Sequence, residues 1–307
     1  MSLNFNSIIT EVTKVQEEAS KILLSPEEHG LSREIILKEQ GKDYTQEIDR
    51  HIEGMIKERF SLLFPEIGFM GEETDSRGED KRFSWLVDPL DGTSPYNTGG
   101  VYYSTVMALL DREQGKVPFS SVYHPSTRKQ FLRLHNEVSV IERIIELDGK
   151  ERVIERKPAP SKSAGAPELL GLTSIPSKFY DRAPKLKAQL DHLFDQVAYP
   201  QLKNRMYGLK DSKPASGSSG LFFSDIADGN RHFALSYFQA PWDMVSALYA
   251  RDAGCVVECG RDLETFNGGD LEYQIAKSDK KTLINVQVFA NNKVKDIILN
   301  RLGSIQA

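Results

Sequence analysis

The chain is short of the features that mark secreted, membrane-spanning or nucleic-acid-binding proteins. Only two cysteines, Cys255 and Cys259, occur in 307 residues, and no paired histidine or second cysteine pair joins them at zinc-like spacing. That leaves no disulfide framework and no Cys/His zinc module, and it fits a reducing cytoplasm. No apolar run approaches the roughly 20 residues that cross a bilayer, so no membrane span is expected. Met1 to Glu11 lacks a basic region followed by an apolar one, so no signal peptide is expected either. Acids outnumber bases, 44 to 39, for a net charge of −5. A chain of that sign has no general electrostatic footprint for nucleic acid, and no nucleic-acid partner is expected.

What the sequence does contain is enough apolar material, 39%, to fill a substantial core in one large domain or two. The chain is organised around Phe83-Ser84-Trp85-Leu86-Val87-Asp88-Pro89-Leu90-Asp91-Gly92-Thr93-Ser94-Pro95-Tyr96. A strand-like apolar run delivers two carboxylates three residues apart, and Pro89, Gly92 and Pro95 turn the chain tightly around them. The small residues that follow have the character of a helix start, where free N–H groups accept anions. Carboxylates beside an anion site repel a phosphate unless divalent cations lie between them. Oxygen ligands favour Mg²⁺, or Mn²⁺, over zinc. Taken alone, an Asp-Pro-x-Asp-Gly run also reads as turn punctuation.

Elsewhere the pattern alternates between helix and strand. Ile8, Ile9, Val12, Val15, Ala19, Ile22 and Leu23 recur at helical spacing, and a second helix has Ile48, Ile52, Met55, Ile56 and Phe60 on its face with Asp49 in its first turns. Ile67 to Gly71 predicts a short strand that ends in Glu72-Glu73. Segments 101–110, 117–123 and 130–134 predict antiparallel strands. Residues 133–167 are mixed in charge, and a domain boundary is placed near Lys157-Pro158-Ala159-Pro160, giving parts 1–155 and 156–307. A strand over 169–173, a short helix over 185–194 and a loosely basic stretch at Lys203, Arg205, Lys210 and Lys213 follow. The small-residue turn 215–220 leads into an apolar helix, either admitting a ligand or permitting close packing. A strand at 232–237, a helix opened by Pro241-Trp242-Asp243 and a strand at 255–258 complete the reading.

Four acids therefore stand at the ends of apolar elements: Glu72, Asp88, Asp91 and Asp243. With Gly71-Glu72-Glu73, Trp85-Leu86-Val87-Asp88-Pro89-Leu90-Asp91-Gly92-Thr93 and Trp242-Asp243 followed by Ala253-Gly254, the sequence resembles the inositol monophosphatase-like family of metal-dependent, lithium-sensitive phosphatases. The resemblance covers most of the chain outside 133–213. It implies a layered α/β/α/β/α sugar-phosphatase sandwich, with an N-terminal α+β part and a C-terminal α/β part that contributes Asp243. It implies one Mg²⁺ on Glu72, Asp88 and the carbonyl of Leu90, and a second on Asp88, Asp91 and Asp243, with a weaker third near Asp49. Thr93 would orient a water and pass its proton towards Asp49, Glu72 would help fix it, and the amides of Gly92 and Thr93 would hold the phosphate. Family members are commonly homodimers.

For the substrate the resemblance implies a small phosphate monoester. Inositol-specific members place an acid where this chain has Ser236, while Ser218 and Ser219 fall where ring or ribose hydroxyls bind. Inositol monophosphate or a related sugar phosphate is the first expectation. A 3′-phosphoadenosine 5′-phosphate phosphatase, using Lys203 to Lys213 for a second phosphate, is the next, and fructose-1,6-bisphosphate is a weaker one. Some members also act as binding partners in transcription complexes, which leaves a non-catalytic interaction module as the reading from another class.

Overall fold

In the computed structural model, the run that carries Asp88 becomes a strand buried at every position, and this explains why it reads as continuously apolar rather than alternating. The structure describes residues 3–31, 35–37, 44–76, 78, 80–97, 99–146, 149–162, 171–174, 184, 188, 218–260 and 269–303.

Helix α1 (Phe5–Leu24) is capped by the Asn4 side chain, which accepts the Ser7 amide at 3.2 Å. A two-stranded ribbon, β1 (Ile35–Leu37) and β2 (Tyr44–Gln46), leads into α2 (Glu47–Leu63). Then come β3 (Gly68–Gly71), β4 (Phe83–Asp91) and the five-residue α3 (Thr93–Asn97). A meander follows: β5 (Ser104–Asp111), β6 (Lys116–His124), β7 (Lys129–Leu134), β8 (Glu137–Ile145) and β9 (Glu151–Arg156). Strands β3 to β9 form one sheet in sequence order, antiparallel throughout except that β3 and β4 run parallel. The second sheet has the order β10-β11-β13-β12, from β10 (Gly171–Ser174), β11 (Phe233–Gln239), β12 (Val256–Gly260) and β13 (Ile284–Phe289). Helices α4 (Ser219–Ala227), α5 (Val245–Asp252), α6 (Leu271–Ala276) and α7 (Asn292–Gly303) belong to this half.

Side chains alternate across each strand, and that alternation sorts the core into layers. Trp85 and Val87 of β4, with Met107 and Leu109 of β5, pack with Val12, Val15 and Ala19 of α1 and Ile52, Ile56 and Phe60 of α2. The Phe60 ring meets Trp85 edge to face at 4.7 Å. Leu86, Val106, Ala108 and Leu110 point the other way, onto Leu221 and Phe223 of α4, Leu248 of α5 and Ile275 of α6. The same middle core takes in Ala234, Val286 and Val288 of the second sheet. The opposite face of that sheet, Phe233, Leu235 and Phe289, is covered by Val294 and Ile298 of α7. The order is α, β, α, β, α, as the resemblance implied.

Strands β8 and β9 lie in the stretch that the sequence left unread. Of the expected helix over 185–194 only residue 188 is described, and it is helical; the basic stretch 203–213 lies outside the described residues.

Candidate metal centre

Parallel pairing of β3 with β4 brings two strand ends to the same edge of the sheet. Gly71 pairs with Val87, and the Glu72 amide donates to the Val87 carbonyl at 3.1 Å, so Glu72 emerges beside Asp88. Along the other side of β4, Asp88 is paired with Val106 and Asp91 with Ser104, three steps against two. This is a β-bulge, which re-aims side chains at a strand end. Its form follows from the sequence: Pro89 has no amide to give the ladder, and its carbonyl instead accepts the Thr105 hydroxyl at 3.1 Å. Asp88 Oδ1 accepts the Leu90 amide at 2.9 Å, and the Thr93 hydroxyl donates to the Leu90 carbonyl at 3.1 Å.

Asp91 is the anchor between the two halves of the site. Its Oδ2 accepts the Ser218 hydroxyl and the Gly220 amide, each at 2.6 Å, and the Ser104 hydroxyl at 3.3 Å. Its Oδ1 accepts the Ser219 amide at 3.1 Å. Asp91 thus satisfies open donors at the N-terminus of α4, a favourable place for a carboxylate. Gly220 is required there, since a Cβ would lie 2.8 Å from Asp91 Oδ2. Gly92 turns the chain out of β4 at φ +97°, a conformation that favours glycine.

Asp243 arrives from a single 3₁₀ turn, Trp242–Met244, after β11, and its Oδ2 accepts the Ala240 amide at 3.0 Å. Trp242 and Met244 on either side are sunk in the middle core, which fixes the turn between them. One carboxylate oxygen each from Asp88, Asp91 and Asp243 lie within 4.8 Å of one another. Two oxygens on one Mg²⁺ at about 2.0–2.1 Å lie at most about 4.2 Å apart, so the three acids would close by a few tenths of an ångström around a shared ion.

The electrostatics point the same way. Burial pushes the Asp88 carboxyl well above the ordinary range, and the charges of Glu72, Asp91, Asp243 and Asp49 push it further. Burial also raises Asp91, against the lowering effect of Ser218, Gly220, Ser219 and Ser104. Two buried acids beside the half-buried Asp243, all hard oxygen donors, fit a hard divalent cation, and the buried pair would be costly without one.

The other expected residues are placed as follows. Asp49 is buried in the first turn of α2. Gly92 and Thr93 are half-buried at the start of α3. Ser218 is fully buried and Ser219 nearly so, and the Ser218 hydroxyl also meets Ser104 at 2.7 Å and accepts the Leu221 amide at 3.0 Å. Its bonds support Asp91 and cap α4. Ser236 is buried within β11, opposite Ser174 on one side and Val286 on the other. Gly220 lies in the small-residue turn 215–220 that the sequence reading singled out, while that reading missed Ser104, Thr105 and Glu53. Only Glu53 carried a signal, four residues after Asp49 and so on the same helix face.

A sequence profile described as the inositol monophosphatase family matches residues 6–295. An inositol-1-monophosphatase of Rhizobium meliloti is 27% identical over 214 residues, 69% of this chain and 70% of that protein. A protein of Xylella fastidiosa named Nus factor SuhB is 27% identical over 225 residues, 71% of this chain and 70% of its own length. Among solved structures, the extragenic suppressor protein suhB of Bartonella henselae superposes with a TM-score of 0.68 at 21% identity, covering 96% of this chain and 98% of that one.

Proposed function

The chain belongs to the inositol monophosphatase family, and on that premise we propose that it is a phosphatase hydrolysing a small phosphate monoester with the help of divalent cations. The observation that carries this reading is the convergence of Asp88 and Asp91, from β4, with Asp243, from the 3₁₀ turn after β11, within one span of 4.8 Å. Glu72, Asp88 and the Leu90 carbonyl would hold one Mg²⁺, and Asp88, Asp91 and Asp243 a second, with Mn²⁺ as a substitute and Asp49 beside a weaker third. Bound there, such cations supply Lewis-acid polarisation of the phosphoryl oxygens and acidify a nearby water.

The chain's own groups do the rest. The Thr93 hydroxyl already donates to the Leu90 carbonyl, so its lone pairs are the ones left to accept from a water. Thr93 would orient that water for attack on phosphorus, Asp49 would take its proton, and Glu72 would help to fix it. The amides of Gly92 and Thr93 would receive the phosphate. A side chain at Gly92 would approach the Tyr102 carbonyl at 3.1 Å and the Ser218 amide at 3.2 Å, so glycine is what keeps that turn open. In this reading residues 1–155 supply most of the ligands, 156–307 supply Asp243, and the enzyme is a cytoplasmic, lithium-sensitive homodimer.

Inositol monophosphate or a related sugar phosphate is the favoured substrate, with Ser236 making a weaker polar contact region than an acid would. The test is phosphate release from inositol phosphates, sugar phosphates and 3′,5′-bisphosphorylated nucleotides with Mg²⁺, with chelator, and with added Li⁺. Mg²⁺-dependent release from a monoester supports the reading, and preference for the bisphosphorylated nucleotide moves the substrate to that class. The relative named Nus factor SuhB supports a second reading, an interaction module of a transcription complex. Absence of release from every ester would favour it, although a non-catalytic module has no use for two costly buried acids, Asp88 and Asp91.

A further inference from the structure

Glu53 lies one helical turn beyond Asp49 on α2 and is fully buried. A carboxylate in that position carries a desolvation penalty that only good hydrogen bonds offset. Its two oxygens are given to backbone: Oε2 accepts the Glu73 amide at 2.8 Å, and Oε1 accepts the Thr74 amide at 2.6 Å. Both amides belong to the segment that directly follows Glu72.

The same segment is gripped from its carbonyl side. Lys57, one turn further along α2, donates to the Asp75 carbonyl at 2.7 Å and the Thr74 hydroxyl at 3.2 Å. Lys280, from the connection between α6 and β13, donates to the Thr74 carbonyl at 2.7 Å. On its other side Glu72 is tied through its own amide to Val87, the residue before Asp88. The backbone carrying Glu72 is therefore fixed at both ends. The glycine before it is part of the same device: a Cβ on Gly71 would lie 2.2 Å from the Glu53 carboxyl carbon, so only glycine leaves the carboxylate its place.

We propose that Glu53 is a positioning residue for cation binding: its carboxylate orders residues 73 and 74, and thereby presents Glu72 to the cluster of Asp88, Asp91 and Asp243. The inference rests on the reading of those acids as the cation site. It assigns Glu53 no contact with substrate or ion. Glu53→Gln keeps the shape but offers one good acceptor for two amides. Gly71→Ala keeps every charge and displaces the carboxylate, which can swing aside as the end of a flexible side chain.

The test is Mn²⁺ binding to the full chain, followed by electron paramagnetic resonance well below the unfolding temperature, with thermal midpoints recorded for each variant. Glu53→Gln and Gly71→Ala should each bind Mn²⁺ about 10- to 100-fold more weakly than wild type, the usual effect of removing a residue that orients a ligand. A merely structural role lowers the midpoint and leaves the affinity of the folded protein unchanged; that result in the variants overturns the inference. If Glu53→Gln does not fold, Gly71→Ala decides by the same readout. If wild type binds no Mn²⁺, or Asp91→Asn binds it as wild type does, the cation-site reading itself is wrong and the inference falls with it.

Discussion

Replacing Asp91 by asparagine preserves volume and removes one charge from the candidate site. The oxygen of the new side chain stays where the Ser218 hydroxyl, the Gly220 amide and the Ser104 hydroxyl converge. Its NH₂ then faces the Ser219 amide, which Oδ1 now accepts at 3.1 Å. Donor opposes donor, and one buried amide left unsatisfied costs about 1–3 kcal/mol. Part of this is offset, because the charge removed is one that burial already disfavours. A net loss of about 1–2 kcal/mol lowers the thermal midpoint of a chain this size by about 2–8 °C, so the variant remains folded. Mg²⁺ should raise the wild-type midpoint, by about 2.7 kcal/mol of stability at 100 times its dissociation constant, and should leave the variant nearly unmoved. Phosphate release by the variant should fall to the level of the blank. Near-normal turnover, or an equal response to Mg²⁺, would refute the assignment of Asp91 as a ligand.

Three further outcomes follow from the same geometry. The carboxyls of Asp88 and Asp91 are raised by burial, so in chelator their contribution to stability is present at low pH and is lost as pH rises through their elevated values. Stabilisation by Mg²⁺ should therefore be larger at pH 8 than at pH 5 in thermal melts, and the reverse order would contradict the cluster's electrostatics. Thr93→Ala should retain Mn²⁺ binding and lose rate; equal loss of both in a metal titration would make Thr93 structural. Thr105→Val removes the hydroxyl that holds the Pro89 carbonyl, costing about 1–2 kcal/mol in denaturant unfolding. It should also weaken Mn²⁺ binding by loosening the bulge, and unchanged binding would show that the bulge holds its form without Thr105.

Much of this architecture is written locally in the chain. Phe83 to Leu90 reads as a buried strand because both of its faces are buried, and the acids at its end are plain in the order of residues. What escaped the reading depends on partners distant in sequence. Strands β8 and β9 look unlike strands because their charges are used across the sheet edge: Arg156 pairs with Glu142 at 2.9 Å and with Asp228. Ser218 is legible as the residue before a helix, but its bond to Asp91, 127 positions away, is not. Glu53 looks like an ordinary helix acid until the fold brings residues 73 and 74 against it. Gln16 is similar, an apparently neutral helix residue that is buried and donates to the Thr105 carbonyl at 3.1 Å, behind the bulge.

The central claim is that acids from the end of β3, from β4 and from the turn at Asp243 grip the same cations. Crystals grown with Mn²⁺ and measured at the manganese absorption edge test it most directly. The account expects anomalous density bounded by Asp88, Asp91 and Asp243, with a second peak towards Glu72. Manganese found only elsewhere on the chain, with these three carboxylates turned away from one another, would contradict it.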